Sequence, residues 1–206
     1  MRKRQTGFTL LELMVVVGIA ALLLGLGIPA LGDFIRNSRL TSAANDLLVD
    51  LNLARNEAVK RRRPVTVCAT STPEAATPNC DGGRGWVVFE DDNGNASFDA
   101  GADQRLAARD ALPASIAVRS REDVTSSTPA LTYVSYAPSG FRRMDDGAIP
   151  PESRLLLCDS RGNKAVGTTA DGSAMSAARL VQISITGRVL VTRSVSQISS
   201  DLGGCP

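Results

Sequence analysis

The sequence contains no histidine, the residue that serves most often as a general base and as a metal ligand. Its many serines therefore lack the usual partner for nucleophilic catalysis. Beyond the first few residues the only lysines are Lys60 and Lys164, and neither lies in a recognisable Ser-Lys motif. No glycine-rich phosphate loop joins a strand pattern to a helix pattern. We expect a protein that is not an enzyme and needs no cofactor.

Cysteine is scarce, and its four copies include no C-x-x-C pair, which argues against zinc and thioredoxin-like redox sites. An even number of cysteines in an exported chain favours two disulfides. Cys68, Cys80, Cys158 and Cys205 allow three pairings. We favour Cys68 with Cys80, because Cys68 ends a predicted strand and Cys80 closes the loop after it, and this leaves Cys158 with Cys205.

The chain also lacks a strong excess of either charge. Its 206 residues carry a formal net charge of +2, and three of the cations are Arg2, Lys3 and Arg4. Loss of that basic start would leave a side-chain charge of −1. A chain of this length predicts one folded domain. Its nearly neutral charge argues against binding polyanions over the whole surface, so any DNA contact would need a local basic patch.

What the chain does have is a long apolar run near its start. Leu13 to Leu31 are 19 residues without a charge, roughly 28 Å of helix and close to the thickness of a bilayer core. The preceding basic cluster predicts a cytoplasmic N-terminus and an external remainder. A cleaved secretory signal and a simple signal anchor are the alternatives. Glu12, at the edge of the run, needs a cationic partner, and a new amine at Phe8 would lie one helical turn away.

Residues Gly7 to Pro29 read GFTLLELMVVVGIAALLLGLGIP, which closely resembles the class III signal of type IV pilins, pseudopilins and minor pilins. The resemblance implies that residues 1–7 are a leader removed by prepilin peptidase after Gly7. It also implies that Phe8 becomes the N-methylated first residue and that Glu12 is required for assembly.

Helical periodicity continues beyond the apolar run. Apolar residues recur at spacings of three and four, at Leu40, Ala44, Leu47, Leu51, Ala54 and Ala58. Pro64 ends the pattern because it disfavours helix at the preceding residue. We predict one helix of about 80 Å over residues 8–62. Residues 8–31 would form the membrane anchor and filament core, and residues 32–63 would be the amphipathic half.

The region 64–206 predicts a β-rich periplasmic domain, so the fold class is α+β: a long N-terminal helix packed on a C-terminal antiparallel β domain. Eight short apolar or alternating runs indicate strands at 64–69, 85–89, 105–109, 116–119, 131–136, 154–158, 179–185 and 189–194. Thr186-Gly187-Arg188 between the last two indicates a hairpin turn. The stretches 71–83 and 160–176 are predicted to be loops.

The segment GWVVFEDDN at residues 85–93 resembles the signature of the GspH/FimT branch of the pilin family, and Gly187-Arg188 is a second match. We expect Trp86 and Phe89 to pack on the long helix. The resemblance implies the type IV pilin fold and a minor component at or near a filament tip. Its partners would be prepilin peptidase, other minor pilins and the major pilin, and its location would be the bacterial inner membrane and then the filament.

Three functions remain open at this stage. The leading one is a minor pilin that primes or caps a type IV pilus, serving adhesion or twitching motility. The second is an H-type pseudopilin of a type II secretion system. The third is a DNA-binding minor pilin for natural transformation, whose relatives carry a C-terminal GRxR element. Here Arg188 is present, but Leu190 occupies the second arginine position and Arg193 comes later, so DNA binding is not favoured.

One acidic loop is a weak calcium candidate. Asp91, Asn93 and Asn95 place oxygens at alternate positions, and Asp99 follows. The loop lacks the usual glycine at its sixth position and the bidentate glutamate at its twelfth. A plain hairpin turn is the favoured interpretation, and we expect no metal site.

Overall fold

The computed structural model describes residues 7, 9–121, 132–148, 150, 152–200 and 205, without the side chains of residues 26–30, 121 and 200. The chain divides into two compact units, Met1–Arg39 and Leu40–Pro206. Helix α1 runs from Leu10 to Arg61, within two residues of the predicted bounds at either end. The predicted leader and Phe8 lie outside the described residues, apart from Gly7.

The first unit consists of the N-terminal part of α1. Its apolar side chains from Leu10 to Leu24 are exposed. Among the residues that the structure describes, no helix is long and apolar enough to cross a membrane. The predicted anchor includes residues 26–30, whose side chains lie outside that description, so the anchor stays a prediction.

The second unit adds ten strands and a short helix to the C-terminal part of α1. The elements are β1 (Val65–Thr70), β2 (Gly85–Glu90), β3 (Gln104–Arg109), β4 (Ala117–Arg121), β5 (Tyr133–Tyr136), β6 (Arg142–Arg143), β7 (Ser153–Cys158), β8 (Ala165–Thr168), β9 (Ala174–Ile183), β10 (Val189–Ser194) and α2 (Val195–Ser200). They form two antiparallel sheets, ordered β3-β2-β1-β5-β6 and β10-β9-β7-β4, with β8 also paired to β9. This architecture confirms the predicted α+β class.

The apolar stripe of α1 forms one side of the main core. Leu40, Leu47 and Leu51 are buried there, and Ala54 and Ala58 are fully inaccessible. Buried residues of both sheets face these helix side chains. They are Val65, Val67, Trp86, Val88, Val134 and Tyr136 of the first sheet and Leu157, Val181 and Ile183 of the second. One helix face therefore contributes to a core shared with both sheets, and its small alanines permit close approach of the strands.

A buried carboxylate ties α1 to the first sheet. Asp50 is 1% exposed, and its Oδ2 accepts hydrogen bonds from Trp86 Nε1 at 2.9 Å and Arg109 Nε at 2.8 Å. This contact gives the indole N–H the partner that a buried tryptophan requires. It also places the charge of Arg109 beside the carboxylate, which raises the pKa of that arginine.

The prediction that both signature aromatics pack on the helix was right for Trp86 and wrong for Phe89. Phe89 lies in a separate cluster with Cys68 and Val87, and its ring meets Phe98 edge-on at 5.3 Å. The reason is the alternation of a strand: positions 86 and 88 face one side of β2, whereas 87 and 89 face the other.

The prediction of a loop over residues 160–176 is also wrong in part. Strand β8 and the first residues of β9 form a hairpin within it, closed by the Thr169 N–H donating to the Ser173 carbonyl at 2.8 Å. All four residues of β8 are exposed, so no apolar pattern marks the strand. The two-residue strand β6 and the helix α2 were missed for a related reason: they are too short for periodicity to show.

Two tight turns meet at a glycine contact. Gly187, in the β9–β10 turn, has a φ of +79°, and a Cβ there would lie 2.4 Å from the Gly140 carbonyl oxygen and 3.0 Å from Tyr136 Cε1. Gly140 also has a positive φ, and its carbonyl accepts a hydrogen bond from Arg55 Nε at 3.1 Å. Helix α1 and both sheets therefore converge where only glycine fits.

We predict that Asp50→Ala lowers the free energy of unfolding by about 2–4 kcal/mol, because it strips the buried Trp86 N–H of its acceptor and Arg109 of its counter-ion. Urea unfolding followed by the fluorescence of Trp86, the only tryptophan, measures this. Asp46→Ala, one turn earlier on the same helix, is the control and should cost below about 1 kcal/mol. Equal losses for the two variants would contradict the proposed tie.

We further predict that Gly187→Ala destabilises the fold by about 2–4 kcal/mol, because the methyl group meets a backbone oxygen that cannot move aside easily. Gly172→Ala is a matched control: its φ is +83°, yet nothing lies within 4 Å of the added Cβ. That variant should cost only the conformational penalty of about 1–2 kcal/mol. If both variants lower the free energy of unfolding equally in the same urea assay, the contact between residue 187 and the Gly140 carbonyl does not contribute to stability.

Candidate functional site

The N-terminal end of α1 carries the residues that the leader motif singled out. The Glu12 N–H donates to Thr9 Oγ1 at 3.2 Å, and the Leu13 N–H donates to the Thr9 carbonyl at 3.2 Å. Thr9 is thus the N-cap of α1. Glu12 follows three residues later in the exposed first turn, where its negative charge interacts favourably with the helix dipole. The sequence signal for this cap, Thr followed at the third position by Glu, was present and was missed.

The structure joins the four cysteines as Cys68–Cys80 and Cys158–Cys205, the favoured pairing. The first bond fastens the loop after β1 to that strand. The second fastens residue 205 to β7, beside a small apolar cluster in which Ile198 of α2 covers Leu156 and Leu180. Each bond thus holds an irregular segment against a sheet, which is a structural function.

The acidic loop uses its oxygens within the protein. Asp91 is fully buried and accepts the N–H groups of Asn95 and Ala96 at 3.1 and 3.0 Å. Both Asn93 and Asn95 point their amide nitrogens at Asp99 Oδ2, at 2.8 and 2.9 Å. In the part of the chain that the structure describes, no three acidic or sulfur side chains are grouped so as to hold a metal ion. The arrangement stabilises a turn within the protein.

One carboxyl of this loop has a shifted proton affinity. Burial raises the pKa of Asp103, and the nearby carboxylates of Asp91, Asp99 and Glu90 raise it further. Asp103 accepts the N–H groups of Asp92 and Asp99 at 2.9 and 2.8 Å. The charge crowding is therefore offset by backbone donors, which again is the chemistry of a closed turn.

The two arginines of the candidate DNA site lie at opposite ends of β10. Arg188 is exposed in the β9–β10 turn, whereas Arg193 lies at the other end of β10, about 16 Å away along the strand. Arg193 is half-buried, and its Nε and Nη2 donate to the Ser176 carbonyl at 3.3 and 3.1 Å. Burial, and then the charge of Arg161, lower its pKa.

A buried cationic group was not foreseen. Arg179 is 3% exposed, and it donates to the Ala177 carbonyl at 2.7 Å and to Thr41 Oγ1 at 2.9 Å. Burial, with the nearby charges of Arg193 and Arg161, lowers the pKa of Arg179 to about 10. The guanidinium remains charged at neutral pH and links β9 to α1. Sequence inspection could not find it, since one arginine in an apolar strand carries no signal of its own.

Comparison with known proteins agrees with these features. The family described as "Type II transport protein GspH" matches residues 43–187, and the "Prokaryotic N-terminal methylation motif" matches residues 2–28. The chain is 40% identical over 84 residues to "Prepilin peptidase-dependent protein D" of Escherichia coli, which covers 41% of this chain and 49% of that protein. It is 35% identical over 95 residues to "Pilin-like protein PilA1" of Thermus thermophilus, covering 46% and 54%. The chain thus spans about half the length of these curated relatives.

Solved structures with a similar arrangement include two minor pilin-type proteins. The type IV minor pilin FimU of Pseudomonas aeruginosa aligns with a TM-score of 0.47 and 20% identity, over 79% of this chain and 94% of that chain. The minor pseudopilin EpsH of the Vibrio cholerae type 2 secretion system aligns with a TM-score of 0.44 and 11% identity, over 75% and 97%.

The family match covers most of the second unit, and the methylation motif covers the start of the chain. Proteins of this family are structural pilin-type subunits rather than enzymes. The long helix, the two antiparallel sheets and the tight Gly187 turn all lie within or beside the matched regions. The chain belongs to the GspH family of pilin-like proteins.

Proposed function

We propose that this chain is a minor pilin that primes assembly of a type IV pilus or lies at its tip. The observation that carries the proposal is the joining of an N-terminal methylation motif to a GspH domain in one chain. Pilin and pseudopilin family members assemble with other pilins into filaments. The partial matches to pilin-like and prepilin-type relatives favour a pilus over a secretion apparatus.

The exposed apolar side chains of the first unit support a role in assembly. Residues such as Leu13, Val17 and Leu24 are more than half exposed, which is costly unless lipid or other helices cover them. We propose a single-pass anchor in the inner membrane, with the second unit in the periplasm, followed by entry into the filament. The helices of neighbouring subunits would then replace lipid around the same side chains.

A second candidate is an H-type pseudopilin of a type II secretion system, which the description of the matched family favours. Deletion of the gene separates the two. A pilus component predicts loss of surface filaments with normal release of secreted enzymes. A pseudopilin predicts the reverse, and complementation with the intact gene should restore whichever property was lost.

For processing, we predict that the mature chain begins with N-methylated Phe8. The Gly7–Phe8 junction precedes a helix already capped at Thr9, so cleavage there leaves the first turn intact. Intact mass spectrometry of the membrane-extracted protein decides the matter. A mature chain that retains Met1, or one that starts after Pro29, would exclude this route of maturation.

For assembly, we predict that Glu12→Ala leaves folded protein in the membrane fraction but removes it from sheared filaments, because a carboxylate among apolar helices requires a cationic partner. Glu12→Asp, which keeps the charge, should retain partial incorporation. Asp33→Ala removes an exposed carboxylate later on the same helix and serves as the control. Wild-type amounts of the alanine variant in filaments would show that the charge is dispensable.

A further inference from the structure

Three large apolar side chains are exposed together at one corner of the second unit. Val59 of α1 is 50% exposed, Phe141 of the β5–β6 turn is 46% exposed, and Ile185 of the β9–β10 turn is 45% exposed. They come from three parts of the sequence. Single exposed apolar residues are ordinary on protein surfaces, whereas a group of them from separate elements is a candidate interaction surface.

The contacts that bring these residues together run through Gly140 and Arg142, the two neighbours of Phe141. A Cβ on Gly140, the residue before Phe141, would lie 3.1 Å from Val59 Cγ2. The Arg142 N–H, on the other side of Phe141, donates to the Ile185 carbonyl at 3.1 Å. Gly187 packs against the Gly140 carbonyl, as described above. The backbone hydrogen bond to Ile185 and the packing of Val59 beside Gly140 therefore hold the three residues near one another.

Two guanidinium groups border the apolar corner. Arg188 follows Gly187 and is exposed, and Arg55 contributes the hydrogen bond to the Gly140 carbonyl. Within the residues that the structure describes, neither arginine takes part in an ion pair. An apolar centre with arginine at its edge is the composition typical of a protein–protein interface.

We propose that this corner docks a neighbouring pilin-type subunit that presents carboxylates around an apolar side chain. The partner's chemistry follows from the surface: apolar area needs apolar area, and the two guanidiniums need acidic groups. The inference rests on the proposed function, since it takes the partner to be a filament subunit. The proposal also explains why Gly187 and Arg188 are adjacent. Gly187 allows its turn to pack against Gly140, and Arg188 lies at the edge of the docking surface.

A protein partner fits this surface better than a nucleic acid does. Nucleic-acid interfaces are more polar and far more cationic than an apolar trio with two arginines. Arg193, which would have extended the positive charge, lies at the far end of β10 and bonds to a carbonyl. Phosphate contacts by Arg188 alone would give weak and strongly salt-dependent binding.

The test uses the full-length chain in cells, with a benzophenone amino acid in place of Phe141. Illumination should yield an adduct with another subunit bearing a prepilin-type N-terminus, and mass spectrometry should place the link within a peptide containing Asp or Glu. The control places the same group at Val166 of β8, which is 41% exposed in a different hairpin and should give no such adduct. Unchanged Trp86 fluorescence verifies that each variant is folded.

A charge series completes the experiment. Arg188→Glu should reduce the adduct at least about tenfold, whereas Arg188→Lys should keep most of it, because the rim charge steers and orients the partner. An adduct destroyed by nuclease, equal adducts at positions 141 and 166, or no effect of Arg188→Glu would overturn the inference. If the protein is present in filaments without any adduct at 141, the docking surface fails and the proposed function stands. If it never enters filaments, both fail.

Discussion

The structure depends on the burial of one apolar stripe of α1. Leu40, Leu47, Leu51 and the small residues between and after them form the common core of both sheets. The C-terminal part of α1 gains its stability from such packing rather than from helical propensity. Loss of this contact would leave two sheets with exposed inner faces, so this part of the helix organises the second unit.

Polar contacts then fix the register of that packing. Asp50 accepts from Trp86 and Arg109, and Arg179 donates to Thr41 from the second sheet. Apolar burial alone tolerates small sliding movements, whereas a buried charge loses its partner when displaced by a few ångströms. The two contacts connect α1 to different sheets, so together they restrain the helix against both.

Much of the chemistry that looks functional in the sequence serves the fold itself. The oxygens of the acidic loop receive backbone N–H groups, and Arg193 donates to a backbone carbonyl. Val59, Phe141 and Ile185, by contrast, are exposed at one corner of the second unit, with Arg188 beside them. The polar groups of the acidic loop and Arg193 therefore stabilise the fold, whereas the exposed apolar side chains are available for contacts with other subunits.

The sequence by itself determined the elements whose signals are local. The long helix follows from a periodicity sustained over many turns, and most strands follow from short apolar runs. The leader motif follows from a contiguous pattern. It also favoured the cysteine pairing that the structure contains. Strand β8 was not predicted because all four of its residues are exposed and give no apolar pattern. Phe89 was predicted on the wrong face because residues 86 and 89 of a strand point to opposite sides of the sheet. Only the tertiary structure decided that Arg188 and Arg193 lie apart and that Gly140, Gly187 and Arg55 meet. Such contacts join residues tens of positions apart, and the pairing of strands that creates them leaves no mark at any single position.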